Sequence, residues 1–388
     1  MICPHCGETA RFVSYRDKGV VSLLGAIRLQ RAYYHCKRCC AGFCPWDSVL
    51  NLTASETTPA ATELVGMAGA LGPFGQAAEL VLKRMAGLKL SESTVQRLSE
   101  SVGADIGQRL SEGDSFGSTT PWAWHKDADG KTCAYVAIDA TGVPQQGPKA
   151  TAAEGRMATV AMVYNPIPEQ REQWAKPSSR RPPWQTRYLA TLEGQASLGE
   201  PLRQQAAQVG MDAAERWIAL SDGGSGLEDW FRVNFGRVDA VILDFYHASE
   251  HLADLAKAWH GVDTEASTAQ HEQWAHRLKH EGGEVILEEL RELALPKRNS
   301  LREVWRATVV YFENHVHRMD YPSYRAHGWQ IGSGPIEAAC KTVIGQRLKG
   351  TGMRWGPTGA DAICHLRALL LSGSEQWAAY WAERAVAA

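Results

Sequence analysis

The sequence predicts a multidomain α+β protein: a small cysteine-rich β module, a helical region, and an α/β domain interrupted by an all-helical stretch. Three observations carry that expectation. Six of the nine cysteines fall within the first 44 residues. Five short β-rich runs lie between residues 132 and 243. Residues 247–324 are highly charged, repeat apolar positions at helical spacing and offer no strand candidate. At 388 residues, with 44% apolar and 22% charged side chains, the chain is long enough for two or three domains.

Lysine plus arginine (41) nearly balances aspartate plus glutamate (43), so the formal charge of -2 does not advertise a polyanionic partner. Any nucleic-acid surface must therefore be local. Residues 1–50 hold seven Lys/Arg against three acids, and residues 176–187 and 341–354 each hold four with no acid. No run of 18 apolar residues and no basic-then-apolar leader is present, which predicts a cytoplasmic protein with no membrane partner. Nine unevenly placed cysteines are too few for a secreted disulfide framework, and their clustering points to metal.

In chain order, the first module (1–50) is β-like, with apolar runs at 20–24 and 26–34 leading into the second cysteine cluster. Cys3-Pro-His-Cys6 and Cys36-Lys-Arg-Cys39 are two C-x-x-C knuckles separated by 29 residues. They can converge four thiolates on one tetrahedral Zn²⁺, a zinc ribbon whose closed ligand set makes the metal structural. The spacer is longer than the commonest pattern, and redox or merely buried cysteine is the bland alternative. Cys40 and Cys44 rank below Cys39 as ligands.

Residues 51–115 read as a helical, helix-turn-helix-like DNA-binding region. Apolar side chains recur as Ala61, Leu64, Val65 and Met67, then Ala78, Leu80, Val81 and Met85. Gly87-Leu-Lys-Leu90 precedes Ser91, which can cap a second helix near 92–102. A Gly/Ser/Thr/Pro-rich linker covers 112–130. Strands are expected at 132–138, 157–164, 187–192, 217–220 and 238–243, with helices near 198–209 and 226–235. That order suits a mixed sheet covered by helices, with ligands collecting at strand ends. Prolines at 166–168 and 182–183 mark a long loop between the second and third strands. The α/β domain is assigned to 131–261 and 326–388, and the helical insertion to 262–325.

Carboxylates at strand ends carry the chemistry. Tyr135-Val-Ala-Ile-Asp139 is an apolar run closing on an acid, and Trp217-Ile-Ala-Leu-Ser-Asp222 repeats that form 83 residues later. Ala240-Val-Ile-Leu-Asp244 ends the same way. Gly332-Ser-Gly-Pro-Ile-Glu337 places an acid in the first turn of a helix. Hard oxygen ligands from three separate elements are what Mg²⁺ or Mn²⁺ needs for in-line attack on phosphate. Taken singly, each acid is as well explained as a turn residue or helix cap. Arg347, Lys349 and Arg354, just after Glu337, can hold a DNA backbone, or they form an ordinary solvated helix end. The pairs His276/His280 and His315/His317 read as polar helix surface. Among the 14 tryptophans, Trp259, Trp274 and Trp305 can stack on an unpaired base, although core packing is the better reading of each.

Together these segments resemble the bacterial insertion-sequence transposases of the ISKra type, relatives of the Mutator-like DDE transposases. The matching pieces span nearly the whole chain. They are the two cysteine knuckles with Arg31-Ala-Tyr-Tyr34 between them, Phe43-Cys-Pro-Trp-Asp47, Val136-Ala-Ile-Asp139-Ala-Thr-Gly142, Asp244-Phe-Tyr-His247, Ile331-Gly-Ser-Gly-Pro-Ile-Glu337 and Arg347-Leu-Lys-Gly-Thr-Gly-Met-Arg-Trp355. The resemblance implies a ribonuclease-H-like catalytic domain with a helical insertion before the last acid. Asp139, Asp222 and Glu337 then match the three acids that hold two Mg²⁺ or Mn²⁺ ions. Asp244 and His247 fit a C/D-x-x-H motif that follows the second acid, so Asp222 is preferred to Asp244 as ligand and the latter pair become active-site supports. His247 is equally readable as a helix-start residue satisfied by a neighbouring carboxylate. The implied partners are DNA, as terminal inverted repeats and target, and a second copy of the chain in a synaptic complex on the nucleoid. Two other readings remain open: a catalytically dead DNA-binding regulator, and a nuclease without strand transfer.

Overall fold

The computed structural model describes residues 1–50, 52, 56–166, 185–294 and 298–386. Pro168, Pro182, Pro183 and the basic residues Lys176, Arg180 and Arg181 lie outside the described residues. The protein is a mixed α+β chain that divides into two compact units, Met1–Leu110 with Thr358–Ala388, and Ser111–Pro357. Among the described residues no helix is long and apolar enough to cross a membrane.

The first unit opens with a three-stranded antiparallel sheet, β1 (Arg11–Ser22), β2 (Gly25–His35) and β3 (Gly42–Phe43), in the order β1-β2-β3. Its small core is Cys3, Ala10 and Cys36, with Tyr34 and Phe43 packed against it. Helix α1 (Pro45–Val49) is tied to β2 by the Arg31–Asp47 ion pair. Thr58 caps α2 (Pro59–Leu71), whose first helical residue is a proline with no N–H to satisfy. Next, α3 (Phe74–Gln76) runs straight into a π-helical stretch, Ala77–Met85. After a turn, α4 (Glu92–Ser111) begins with the Ser91 hydroxyl accepting the Thr94 N–H at 3.2 Å, as the Ser91 cap predicts. Val65, Ala68, Leu82, Leu88, Val95 and Leu98 form the core of this helical region.

The second unit is built on a five-stranded sheet. Its strands are β4 (Cys133–Gln146), β5 (Ala152–Asn165), β6 (Gln185–Thr191), β7 (Arg216–Ser221) and β8 (Ala240–Leu243), in the order β6-β5-β4-β7-β8. The first three strands are antiparallel; β7 is parallel to β4 and β8 to β7. Helices α5 (Gly199–Gln208) and α6 (Leu227–Asn234) connect β6 to β7 and β7 to β8. All five strands fall where β-rich runs predict them. One expectation is corrected: β4 does not close at Asp139 but continues to Gln146, because its pairing with β5 carries on through Val143 opposite Arg156 and Gln146 opposite Ala152. On the other edge, β7 pairs with β4 only as far as Leu220 opposite Ala137. Asp139 therefore lies just past the carboxyl end of its parallel neighbour, where one edge of β4 is uncovered.

A strand-free succession follows β8: α7 (Phe245–His260), α8 (Glu265–Glu281), α9 (Gly283–Glu292), α10 (Asn299–His315) and α11 (Tyr321–Ala326). Leu252, Leu255, Leu278, Ile286, Leu290 and Phe312 are among its fully buried side chains. Trp274 is 2% exposed and donates to Glu289, and the Trp305 indole donates to the Leu290 carbonyl, so both are packing residues. Then come α12 (Gly334–Ala339), a π-helical continuation at Cys340–Gly345, and α13 (Gln346–Leu348).

The last helices, α14 (Pro357–Leu371) and α15 (Ser374–Val386), belong with residues 1–110, whereas the sequence reading placed them with the sheet. The reason is a close helix crossing. A Cβ on Gly103 of α4 would lie 1.9 Å from the Ala362 carbonyl oxygen, so only glycine lets α14 approach. Asp105 of α4 also accepts from the Tyr380 hydroxyl at 2.7 Å and from Arg384 at 2.6 Å.

Candidate active site

The first cluster of chemically active residues is the set of four cysteines. Among the described residues, Cys3, Cys6, Cys36 and Cys39 are the group of three or more potential metal ligands whose ligand atoms all lie within 4.8 Å of one another. Cys3 to Cys39 and Cys6 to Cys36 are each 3.6 Å between sulfurs. Tetrahedral thiolate sites with Zn–S near 2.3 Å have S···S edges of about 3.8 Å, so the four thiols can hold a structural zinc with little movement. The backbone N–H of Cys39 leads the causes that lower the Cys36 thiol to about 7, which favours the thiolate a metal requires. Cys40 is exposed and Cys44 half-buried, and neither joins the cluster.

The second cluster lies on the sheet. Asp139 and Glu337 line one cleft of about 550 Å³, together with Thr141, Cys340, Lys341, Gly345, Gln346 and Lys349. Burial is the largest cause that raises the Asp139 carboxyl above its ordinary value; the Ala140 N–H opposes it, and the negative charges of Asp222 and Glu337 add to the rise. The three acids thus share one electrostatic neighbourhood. Asp222 is not among the described residues lining the cleft, and its carboxylate accepts the Gly224 N–H at 2.9 Å. Unlike the thiols, the acids do not bring their oxygens all within 4.8 Å of one another. Oxygen-only donors that repel one another would suit a hard divalent cation, whose charge would offset theirs.

Asp244 is placed differently. It is 3% exposed, its Oδ1 accepts the N–H groups of Tyr246 (3.0 Å) and Ser333 (3.2 Å), and its Oδ2 accepts the Ser333 hydroxyl at 2.7 Å. It caps α7 and ties that helix to the turn before α12. Gly332 permits this closeness, since a Cβ there would meet the Tyr246 ring at 2.7 Å. His247 is half-buried: its ring lies 5.6 Å from His251 and 6.2 Å from Tyr311, and its Nδ1 is 3.7 Å from Glu250.

Asp222 has its own surround. Arg318, 2% exposed, donates to the Ser221 hydroxyl (2.8 Å), the Val241 carbonyl (3.2 Å) and the Asp222 carbonyl (3.4 Å), and so fixes the ends of β7 and β8. His251 stacks on Tyr311 at 3.8 Å, and Tyr311 lies 4.9 Å from His315. Burial lowers the pKa of both His251 and His315, which favours their neutral forms. His317 instead pairs with Glu228 at 2.7 Å. His276 and His280 lie 4.4 Å apart between rings, with Arg325 at 3.2 Å from His280, and no third ligand joins them among the described residues.

The basic stretch after Glu337 splits in two. Lys349 is exposed at the cleft and donates to Thr141; Arg354 is exposed as well. Arg347, expected as a backbone-contacting cation, is 1% exposed with its guanidinium 4.9 Å over the Trp355 ring. Enclosed in this way, it is a packing residue and cannot touch a DNA backbone in this conformation.

No family model matches the chain, and comparison with the curated proteins finds no match. The site must therefore be read from its own residues. Sequence reasoning missed Ser333, Arg318, Cys340, Thr141 and Tyr311. Of these only Ser333 carried a signal, as the residue before the helix that holds Glu337.

Proposed function

We propose that the protein is a DNA transposase of the insertion-sequence type, with a ribonuclease-H-like catalytic domain, a helix-turn-helix-like region and a zinc ribbon. The observation that carries the reading is the shared field of Asp139, Asp222 and Glu337, three acids drawn from β4, the end of β7 and α12. The strand order supports the fold: three antiparallel strands, with the first flanked by two further parallel ones, and a helical insertion between the last strand and the third acid. Asp222 is favoured over Asp244 as the second ligand because both Asp244 oxygens are already engaged inside the protein.

In this reading Asp139, Asp222 and Glu337 hold two Mg²⁺ or Mn²⁺ ions, which when bound activate the attacking oxygen and stabilise the leaving one. Lys341 and Lys349 at the cleft rim meet the phosphates, and Arg318 keeps the Asp222 turn in place. Water attacks the phosphorus at the element's end, giving up a proton to solvent as the P–O3′ bond breaks; the freed 3′ hydroxyl later loses its proton in attacking a target phosphodiester, whose own P–O3′ bond breaks and releases a target 3′ end. The zinc ribbon and α4, preceded by its turn, recognise the terminal repeats. Pairing of two ends calls for at least two copies of the chain.

The test is a strand-transfer assay on labelled DNA carrying the element's ends, with Mg²⁺. Joined products that vanish in Asp139→Asn, Asp222→Asn and Glu337→Gln are expected. Cut ends without joined product would make the protein a nuclease, and specific binding without either would make it a regulator.

A further inference from the structure

The turn before α12 holds an arrangement that the three acids alone do not explain. Ser333 is 6% exposed, and its hydroxyl oxygen lies 2.7 Å from Asp244 Oδ2 and 2.9 Å from Glu337 Oε1. A serine hydroxyl has one proton to donate, so at any moment it serves one carboxylate and not both. The two acceptors are unequal. Asp244 is buried and keeps two backbone N–H donors on its other oxygen, while the half-exposed Glu337 has, beyond Ser333 and among the described residues, the long contact with Lys341 at 3.8 Å. Asp244 also holds Ser333 through the serine's backbone N–H at 3.2 Å, so the serine is fixed against the sheet end by a buried group whichever carboxylate its hydroxyl proton serves.

We propose that Ser333 is a positioning residue for Glu337: anchored by Asp244, its hydroxyl orients one Glu337 oxygen and leaves the other to bind a divalent cation. The inference rests on the metal-binding role given above to Asp139, Asp222 and Glu337. Outer-shell donors of this kind typically change metal affinity 10–100-fold when removed. The shared proton gives a second, opposite consequence. In Asp244→Asn the side-chain oxygen can still accept the two N–H groups, while the amide donates to Ser333, which directs the serine proton wholly to Glu337. Cation binding in that variant is then retained or tightened, although Asp244 sits in the same turn.

The experiment is Mn²⁺ binding to the full-length, zinc-loaded protein without DNA, followed by electron paramagnetic resonance of free Mn²⁺. Thermal melting of each variant in the same buffer confirms that it is folded. Ser333→Ala is expected to weaken binding about tenfold, Ser333→Thr to stay within about twofold of the unmodified protein because it keeps the hydroxyl, and Asp244→Asn to bind at least as tightly as the unmodified protein. Ser333→Ala binding like the unmodified protein, or Asp244→Asn weakening it as much as Asp139→Asn, overturns the proposal. If the unmodified protein shows no Mn²⁺ binding that depends on Asp139, the metal-site reading falls with it; if binding depends on Asp139 but not on Ser333, only the positioning role fails.

Discussion

The two clusters of possible metal ligands in this chain are built in opposite ways. Cys3, Cys6, Cys36 and Cys39 come from two short knuckles flanking one hairpin, and their sulfurs already stand close enough to share an ion. The three acids come from elements as far apart in sequence as β4 and α12, and they meet through their field more than through contact. A closed, local thiol set has no vacancy for a reactant and suits a fold-holding ion. An open, dispersed carboxylate set leaves room for a phosphate between its members, and it depends on the whole sheet being in register.

That contrast can be broken at either end. Removing a thiol should have the largest effect, since a structural zinc contributes about 10–16 kcal/mol in small modules. Cys36→Ser is expected to lose the bound zinc and expose residues 1–50 to limited proteolysis, while fragments covering the five-stranded sheet persist. Zinc stoichiometry and mass spectrometry of the digest check this. Retention of zinc at full occupancy would mean that the four sulfurs are not a metal centre.

At the carboxylate end, changing Asp139 should act first by removing a buried charge and then by relieving repulsion from Asp222 and Glu337. Its pKa is raised in the fold, so its contribution to stability is full below the ordinary value of 3.8 and is lost as the pH rises through the raised value. In the cation-free protein this one contribution falls between mild acid and neutrality, while those of the lowered histidines and carboxylates run the other way. Asp139→Asn should remove that fall and raise the neutral melting temperature by a few degrees. Scanning calorimetry with chelator present measures both. An Asp139→Asn protein that melts lower than its parent at every pH would contradict the electrostatic account.

The smallest effects are at the basic stretch, where two cations near each other in sequence part ways. Arg347→Ala is expected to destabilise the protein by about 2–4 kcal/mol, because it empties a buried site against Trp355. Lys349→Ala should leave stability unchanged and reduce the salt slope of DNA binding by about one. Denaturant melts and binding titrations at several salt concentrations separate the two. If Arg347→Ala lowers only the salt slope, the arginine is a DNA contact after all.

Local patterns made much of this legible in the sequence. Five β-rich runs landed on the five strands, Ser91 caps α4, and both cysteine knuckles converge, because composition and spacing over a few residues govern such features. What could not be read was tertiary. Nothing near Asp139 says that the pairing of β7 with β4 stops at Leu220 while that of β5 runs on, leaving that acid beside an uncovered edge. Gly103 looks like any helical glycine until Ala362 packs on it, and Arg347 differs from Lys349 only in what folds over it. The Asp244–Ser333–Glu337 contacts join positions 89 and 4 residues apart, a closure that only the folded chain makes.

The most direct test of the central claim is anomalous scattering from crystals of the protein grown with Mn²⁺. The account predicts Mn²⁺ peaks within coordination distance of Asp139, Asp222 and Glu337 oxygens, with Asp244 still bonded to Ser333. Mn²⁺ bound to Asp244, or no peak at these acids while DNA cleavage in Mn²⁺ persists, would contradict it.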